Sequence, residues 1–454
     1  MRELLADAAR RAAAYLDDVR TRPVAPLPTA VSALAAFDSA LQEDPVEPAA
    51  VLALLDERGS PASMAMAGPR FFGFVIGGTL PAGLAANWLA GAWDQNSAFA
   101  SVTPGTAAIE QAALRWLVDL LGLPAGTGAG FVTGATVANF TALAAARHGV
   151  LSAAGWNVEA DGLFGAPPVT VVVGEEAHSS LFKALGLLGL GRRRVVRVPV
   201  DGQGRLRAAA LPRCTGPTIV CVQAGNVNTG AFDPAGDVCD AVRGWGTGQS
   251  AWVHVDGAFG LWAAASPRLR HLLAGAERAD SWATDAHKWL NVPYDCGLAF
   301  VRDPEILRAS MAVTADYLPA ADPRRSPSDF VPELSRRARG VEVWAALKSL
   351  GRRGVADLVE RNCRQASRFA EGLRAAGHEV LNDVVLNQVL VSFGEEAATR
   401  RVIGAIQEDG TCWCGGTVWQ GRTAMRISVS CWATTDADVE RSLEVMIRLA
   451  RGRP

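Results

Sequence analysis

Five short apolar runs, VTVVV (Val169 to Val173), RVVRVPV (Arg194 to Val200), PTIVCVQA (Pro217 to Ala224), AWVHVD (Ala251 to Asp256) and GLAFV (Gly297 to Val301), alternate with stretches of helical spacing. Strands this continuous in β-branched residues are covered on both faces. Their alternation with helices therefore predicts an α/β domain built on a large, mixed, mostly parallel sheet. With 454 residues the chain exceeds one ordinary domain. The pattern assigns 1–75 to an N-terminal helical arm, 76–338 to the large domain and 339–454 to a small C-terminal α+β domain. The arm reads as two amphipathic helices around TRPVAPLP (Thr21 to Pro28). An amphipathic arm that cannot bury its own apolar face points to a partner chain. YLPAADPRRSPSDFVP (Tyr317 to Pro332) has no period and reads as a mobile loop of functional type. A long helix is expected from about Arg339, strands at Val385 to Phe393 and Ala424 to Ser430, and a closing helix near Thr435.

Composition removes several classes of function. A net charge of −2 gives nucleic acid or an anionic membrane nothing to bind. No apolar stretch reaches membrane-spanning length, and the acid-bearing N-terminus does not read as a signal peptide. The eight cysteines are scattered without zinc-site spacing, so no metal is expected and a reducing cytoplasm is the simplest compartment. GLLGLG (Gly186 to Gly191) has its glycines in the wrong order for a dinucleotide fingerprint and follows a helical stretch.

Ligands of such sheets collect at the carboxyl ends of the strands. TGATVANF places Gly134, Ala135 and Thr136 at a helix N-terminus, where bare N–H groups suit a phosphate or serve as a plain cap. GEEAHSS puts His178 past one strand end and GNVNTG puts Asn226 past another. HVDGAFG ends a strand on Asp256, beside residues small enough to admit a flat ring, Ala258 among them. DAHKWLNVP then sets Lys288 between His287 and Trp289 in an apolar context, where a free ammonium is costly unless it is paired or chemically converted. A lysine able to form an imine, a carboxylate for a ring nitrogen, an aromatic stacker and a phosphate cradle together describe pyridoxal phosphate (PLP) chemistry.

The blocks RFFGFV (Arg70 to Val75), TGATVANFTAL, EEAHSS, GAFDP, HVDGAFG, DAHKWLNVPYDCG and SRRARGVEVW together resemble the group II PLP-dependent amino acid decarboxylases. Such enzymes include aromatic amino acid and glutamate decarboxylases. The resemblance implies the type I, aspartate-aminotransferase-like fold and conversion of an L-amino acid to its amine and CO2. It implies that Lys288 carries PLP as a Schiff base, that Asp256 pairs with the ring nitrogen, and that His178 and Ala258 flank the ring. Ala135 and Thr136 would hold the phosphate with His287 close by, and Asn226 would reach the phenolic oxygen. Phe72 and Arg426 would meet the substrate, and a homodimer with a shared site is implied. Arg70 suits an acidic substrate if it points inward, whereas the phenylalanines of RFFGFV suit an apolar or aromatic one. The family's loop tyrosine is replaced by Phe330 before SRRAR, leaving Tyr317 as the candidate proton donor. Loss of that acid opens an aldehyde-forming deaminase or an aminotransferase as the alternative.

Overall fold

The structure, a computed structural model, describes residues 1–245, 250–313 and 324–452. It comprises two compact units, one of Met1–Gly78, Gln365–Leu381 and Val389–Pro454, the other of Thr79–Arg364 and Asn382–Gln388.

Among the described residues the second unit carries strands β1 (Gly128–Val132), β2 (Thr170–Gly174), β3 (Val196–Val198), β4 (Thr218–Gln223), β5 (Ala251–Asp256), β6 (Ser281–Asp285) and β7 (Gly297–Val301). They form one sheet in the order β1-β7-β6-β5-β4-β2-β3. β2 pairs in parallel with β3 and β4, as do β4 with β5 and β5 with β6, while β7 runs antiparallel to both β6 and β1. Every residue of β1, β4, β6 and β7 is buried, as their unbroken apolar runs require. The helix Ala135–Ser152 covers the sheet, with Leu143, Val150 and Leu151 packed among Val171, Val173, Ile219 and Trp252. Each such leucine or valine contributes roughly 1.5–3 kcal/mol on burial.

The expected loop at 317–332 divides. Tyr317 lies outside the described residues. Its second half is built rather than structureless: Pro327–Phe330 form a 3₁₀ turn, Phe330 is buried, and Val331 lies so close over Gly130 that a Cβ there would meet its Cγ1 at 2.4 Å. Phe330 is therefore a core residue. The long helix appears as Gly340–Ala375, interrupted at Gly351 with φ 61°.

In the first unit the N-terminal helix is Arg2–Asp18, but the second expected helix is broken into Pro28–Ser32, the 3₁₀ turn Ala33–Phe37 and Pro48–Leu54. Pro28 and Pro48 each begin a turn of helix, because proline lacks the N–H that a continuing helix needs. Strands β8 (Glu379–Val380), β9 (Gln388–Ser392), β10 (Gly415–Trp419) and β11 (Arg422–Ser428) make a second sheet in the order β10-β11-β9-β8. The closing helix Asp436–Ala450 starts with a capping box, Thr435 Oγ1 accepting from Asp438 N and Asp438 Oδ2 accepting from Thr435 N. Chain segments 340 residues apart are joined here: Phe71 stacks on Trp413 at 5.0 Å, and Phe72 N donates to Trp413 O at 2.9 Å. That pairing places the N-terminal segment in one unit with the C-terminal sheet.

One buried ion pair ties together the helix Pro104–Leu120, β1 and the segment before the long helix. Glu110 Oε2 is 2.7 Å from Arg336 Nη1, and Arg336 also donates to the carbonyls of Ser97 and Phe131. Removing one member leaves the other charged and buried, at a cost of about 3–5 kcal/mol. Glu110→Ala is expected to lower the urea-unfolding free energy by that amount; an unchanged midpoint would contradict the assignment.

Candidate active site

β6 ends at Asp285, and the chain then turns through His287, Lys288 and Trp289. Asp285 is only 2% exposed, and its Oδ2 lies 3.2 Å from Lys288 Nζ. The lysine therefore has a buried partner, a carboxylate three residues upstream that sequence reasoning did not single out. The other oxygen, Oδ1, makes no hydrogen bond and is 3.6 Å from His287 Nε2. His287 Nδ1 accepts the Cys296 N–H at 3.0 Å, which puts the imidazole proton on Nε2, facing Asp285. Burial lowers the His287 pKa, with Asp285 opposing, so the ring is neutral at pH 7. Tyr294 stacks on it at 4.3 Å. Trp289 is buried and donates from Nε1 to Asn362 Oδ1 at 3.0 Å, fixing the turn from below.

The phosphate cradle lies against this turn. Gly297, the first residue of β7, pairs with Val132 of β1 and with Asp285 of β6. A Cβ on Gly297 would stand 2.5 Å from Gly134 Cα, and one on Gly134 would stand 3.2 Å from His287 Cε1. Glycine at 297 lets the chain leave β1, pass over β7 and start the helix at Ala135, while Gly134 keeps that start clear of the His287 ring. That helix has no side-chain cap. The N–H groups of its first turn, Ala135 and Thr136 included, have no partners within the helix and are suited to an anion. His287 Cε1 borders Gly134, the residue before that first turn.

Asp256 closes β5, 5% exposed. Its Oδ1 accepts the Ala258 N–H at 3.3 Å and its Oδ2 accepts Asn139 Nδ2–H at 3.1 Å, while no cation lies within ion-pair reach among the described residues. Behind Asn139 stands His254, wholly buried, with Nε2 2.9 Å from Asn139 Oδ1 and Nδ1 2.9 Å from Ser281 Oγ. Burial pushes the His254 pKa down to about 4, against the opposing pull of Asp256. Neither Asn139 nor His254 was expected at the site; the W-x-H-x-D alternation of β5, which sets Trp252, His254 and Asp256 on one face, was the available signal. His178 caps the helix Ser179–Leu187, its Nδ1 2.7 Å from Ser180 Oγ, so its ring is anchored at the end of β2.

Three of the side chains singled out in the sequence find partners within the protein. Asn226 is buried in its own turn: Oδ1 accepts the N–H of Asn228 and Thr229, and Nδ2 donates to Glu176 Oε2 at 3.1 Å. The sequence GNVNTG asked for such a turn, and the side chain serves it. Phe72 is 1% exposed and packs edge-on against Phe369 at 5.1 Å, which makes it a core residue of the first unit. Arg70 does not offer a free charge: it donates to the carbonyls of Thr411 and Arg20 and pairs with Asp438 at 3.2 Å. The neighbour that is presented is Phe74, 61% exposed, with φ 54° followed by φ 61° at Val75. Arg426 on β11 is half-buried, with Nε and Nη2 inaccessible and lacking hydrogen bonds, and desolvation lowers its pKa to about 10. A guanidinium in that condition calls for an anion.

Comparison with known proteins decides the family. The pyridoxal-dependent decarboxylase conserved domain matches residues 36–394. The chain belongs to this family. It is 30% identical over 403 residues to Tryptophan decarboxylase 1 of Oryza sativa subsp. japonica, covering 80% of this chain and 76% of that one. It is also 30% identical over 306 residues to the human acidic amino acid decarboxylase GADL1, covering 64% and 57% respectively. A crystal structure of Oryza sativa TDC with PLP and tryptamine superposes with a TM-score of 0.91 at 24% identity, covering 99% of this chain and 97% of that chain, and shows the same type I fold. The protein is thus a PLP-dependent carboxy-lyase. Its own residues fit the cofactor: a glycine-lined helix start for the phosphate, a lysine, and a buried carboxylate lacking a protein cation.

The depressed His254 pKa has a definite sign in stability. Unfolded, the ring takes up a proton near pH 6.5; folded, only near 4. Its contribution is full above 6.5 and is lost as pH falls toward 4, by about 3 kcal/mol. Urea titrations from pH 7 to 4 are expected to show wild type losing that much more stability than His254→Gln; parallel curves would contradict the buried neutral ring.

Proposed function

We propose that this enzyme removes the α-carboxylate of an L-amino acid with an aromatic or apolar side chain, consuming one proton and releasing CO2 and the amine. The observation that carries the reading is the pairing, at neighbouring strand ends, of Lys288 with Asp285 and of Asp256 with neutral donors alone. PLP, when bound, supplies an electron-withdrawing ring that takes up the electron pair of the broken Cα–carboxylate bond. Lys288 holds it through Nζ, and Asp285 Oδ2 is the near acceptor for the ammonium proton that Nζ must lose to become a nucleophile. Asp256 would offer its carboxylate to the ring nitrogen, and His178 and Ala258 would flank the ring. The first-turn N–H groups of Ala135 and Thr136 would hold the phosphate, with His287 close by. Orientation of the scissile bond then decides which bond breaks. Arg426 is the proposed partner of the substrate carboxylate, and Tyr317 the proposed donor of the proton that replaces CO2 at Cα.

Substrate class rests on two side chains. Arg70, the cation that would favour an acidic substrate, is fully engaged in its own unit, whereas Phe74 presents an aromatic face. A homodimer is supported by the helix Arg2–Asp18, which buries none of its residues, and by the exposed Trp88, Leu89 and Trp93 of the helix Pro81–Trp93. Eight free cysteines suit a reducing cytoplasm. Light scattering is expected to give twice the chain mass; a monomer mass would contradict the dimer.

The decisive assay incubates the holoenzyme with a panel of aromatic, aliphatic and acidic L-amino acids. Amine and CO2 in equal amounts are expected from aromatic members, and Arg426→Ala is expected to raise KM about 30-fold, or about 2 kcal/mol. Aldehyde with ammonia and peroxide would overturn decarboxylation, and preferred turnover of glutamate or aspartate would overturn the substrate class.

A further inference from the structure

Behind Asp256 runs a continuous row of buried polar side chains drawn from three elements. Trp252 Nε1 donates to Ser281 Oγ at 2.8 Å, Ser281 Oγ is 2.9 Å from His254 Nδ1, His254 Nε2 is 2.9 Å from Asn139 Oδ1, and Asn139 Nδ2 donates to Asp256 Oδ2 at 3.1 Å. The arrangement follows from strand geometry. Trp252, His254 and Asp256 are alternate residues of β5 and share a face, Ser281 is the register partner of His254 on β6, and the helix over that face supplies Asn139.

With Asp256 as the acceptor at its end, the row has one direction. An indole N–H can only donate, so Ser281 Oγ accepts from Trp252 and has its own proton for His254 Nδ1. The imidazole proton then sits on Nε2 and points to Asn139 Oδ1, which leaves the amide NH2 facing Asp256. The opposite tautomer of His254 would turn the amide oxygen toward Asp256, and only a protonated, neutral carboxyl could donate to it. The tautomer of a buried histidine and the charge of Asp256 are thereby linked.

We propose that Trp252, Ser281, His254 and Asn139 are positioning residues forming a one-way hydrogen-bond relay that fixes Asp256 as an ionised acceptor and so keeps the ring nitrogen of PLP protonated. The relay rests on the reading that Asp256 is the partner of that nitrogen. It acts at the cofactor's electronics and touches neither the substrate nor the phosphate.

The test loads the full-length enzyme with PLP labelled with ¹⁵N at the ring nitrogen and reads the nitrogen chemical shift, with PLP retention by equilibrium dialysis as the second measurement. Asn139→Leu and Ser281→Ala are each expected to move the signal toward neutral pyridine and to weaken retention about tenfold. Ser281→Thr, which keeps the hydroxyl, is expected to restore the wild-type shift. The double variant Ser281→Ala/Asn139→Leu is expected to lose little more than the worse single one, because both break the same chain. Should Asn139→Leu fail to fold by circular dichroism, Trp252→Phe, which keeps a packed ring but removes the donor, decides in its place. Wild-type shifts in the relay variants, or fully additive losses, would overturn the relay. Asp256→Asn separates the two readings: an unmoved signal there removes Asp256 as the partner, whereas a moved signal there with unmoved relay variants removes the relay alone.

Discussion

The contact between two glycine backbones, Gly134 and Gly297, is the constraint on which the site depends. β7 runs against the direction of its neighbours, so its first residue meets the last residues of both β1 and β6. A side chain on Gly297 would push these ends apart, and one on Gly134 would press on the His287 ring. With none there, the start of the helix Ala135–Ser152 and the lysine-bearing turn come together without any loop having to bend toward them. Precision is inherited from the sheet, whose strands β1, β4, β6 and β7 are buried along their whole length.

Two carboxylates then divide the electrostatic work. Asp285 and Asp256 are both nearly inaccessible, and each closes a strand, yet their surroundings differ. Asp285 has a cation beside it, whereas Asp256 has only an amide and a backbone N–H. A buried anion stabilised by neutral donors alone is poised for a cationic guest, because the guest supplies the charge that the protein withholds. In the proposed function the pair separates anchoring of the cofactor from tuning of its ring.

Much of this was legible in the sequence because it follows from local rules. β5 and β7 fall on the residues their apolar runs predict, and Asp256, Lys288, His178 and the helix start at Ala135 are read from strand ends. Legibility fails where a residue's role is set by a distant segment. Arg70 looked like a possible substrate cation until carbonyls at residues 20 and 411 and a carboxylate at residue 438 engaged it. Phe72 looked like a pocket wall and is a core residue through Phe369. Asn226 illustrates a different failure: its turn was visible, but not that the turn would occupy the side chain's own oxygen. Asn139 escaped notice because a polar residue inside an apolar helix face carries no signal until its partner across the sheet is known.

The FFGFV segment has a consequence for how such a chain can change over generations. Gly73 is locked, since a Cβ there would lie 2.3 Å from the Trp413 ring. Val75 is held in a left-handed conformation that a β-branched residue adopts only under constraint, at about 1–3 kcal/mol. Between them Phe74 faces outward, with only a tilted ring contact to Trp413 at 5.5 Å. Substitution is therefore filtered differently at the three positions: Gly73 is limited by packing, Val75 by its strained backbone, and Phe74, at φ 54°, by its backbone but not by any burial of its side chain. Position 74 can thus exchange its exposed side chain without disturbing the core, provided the replacement keeps a left-handed backbone.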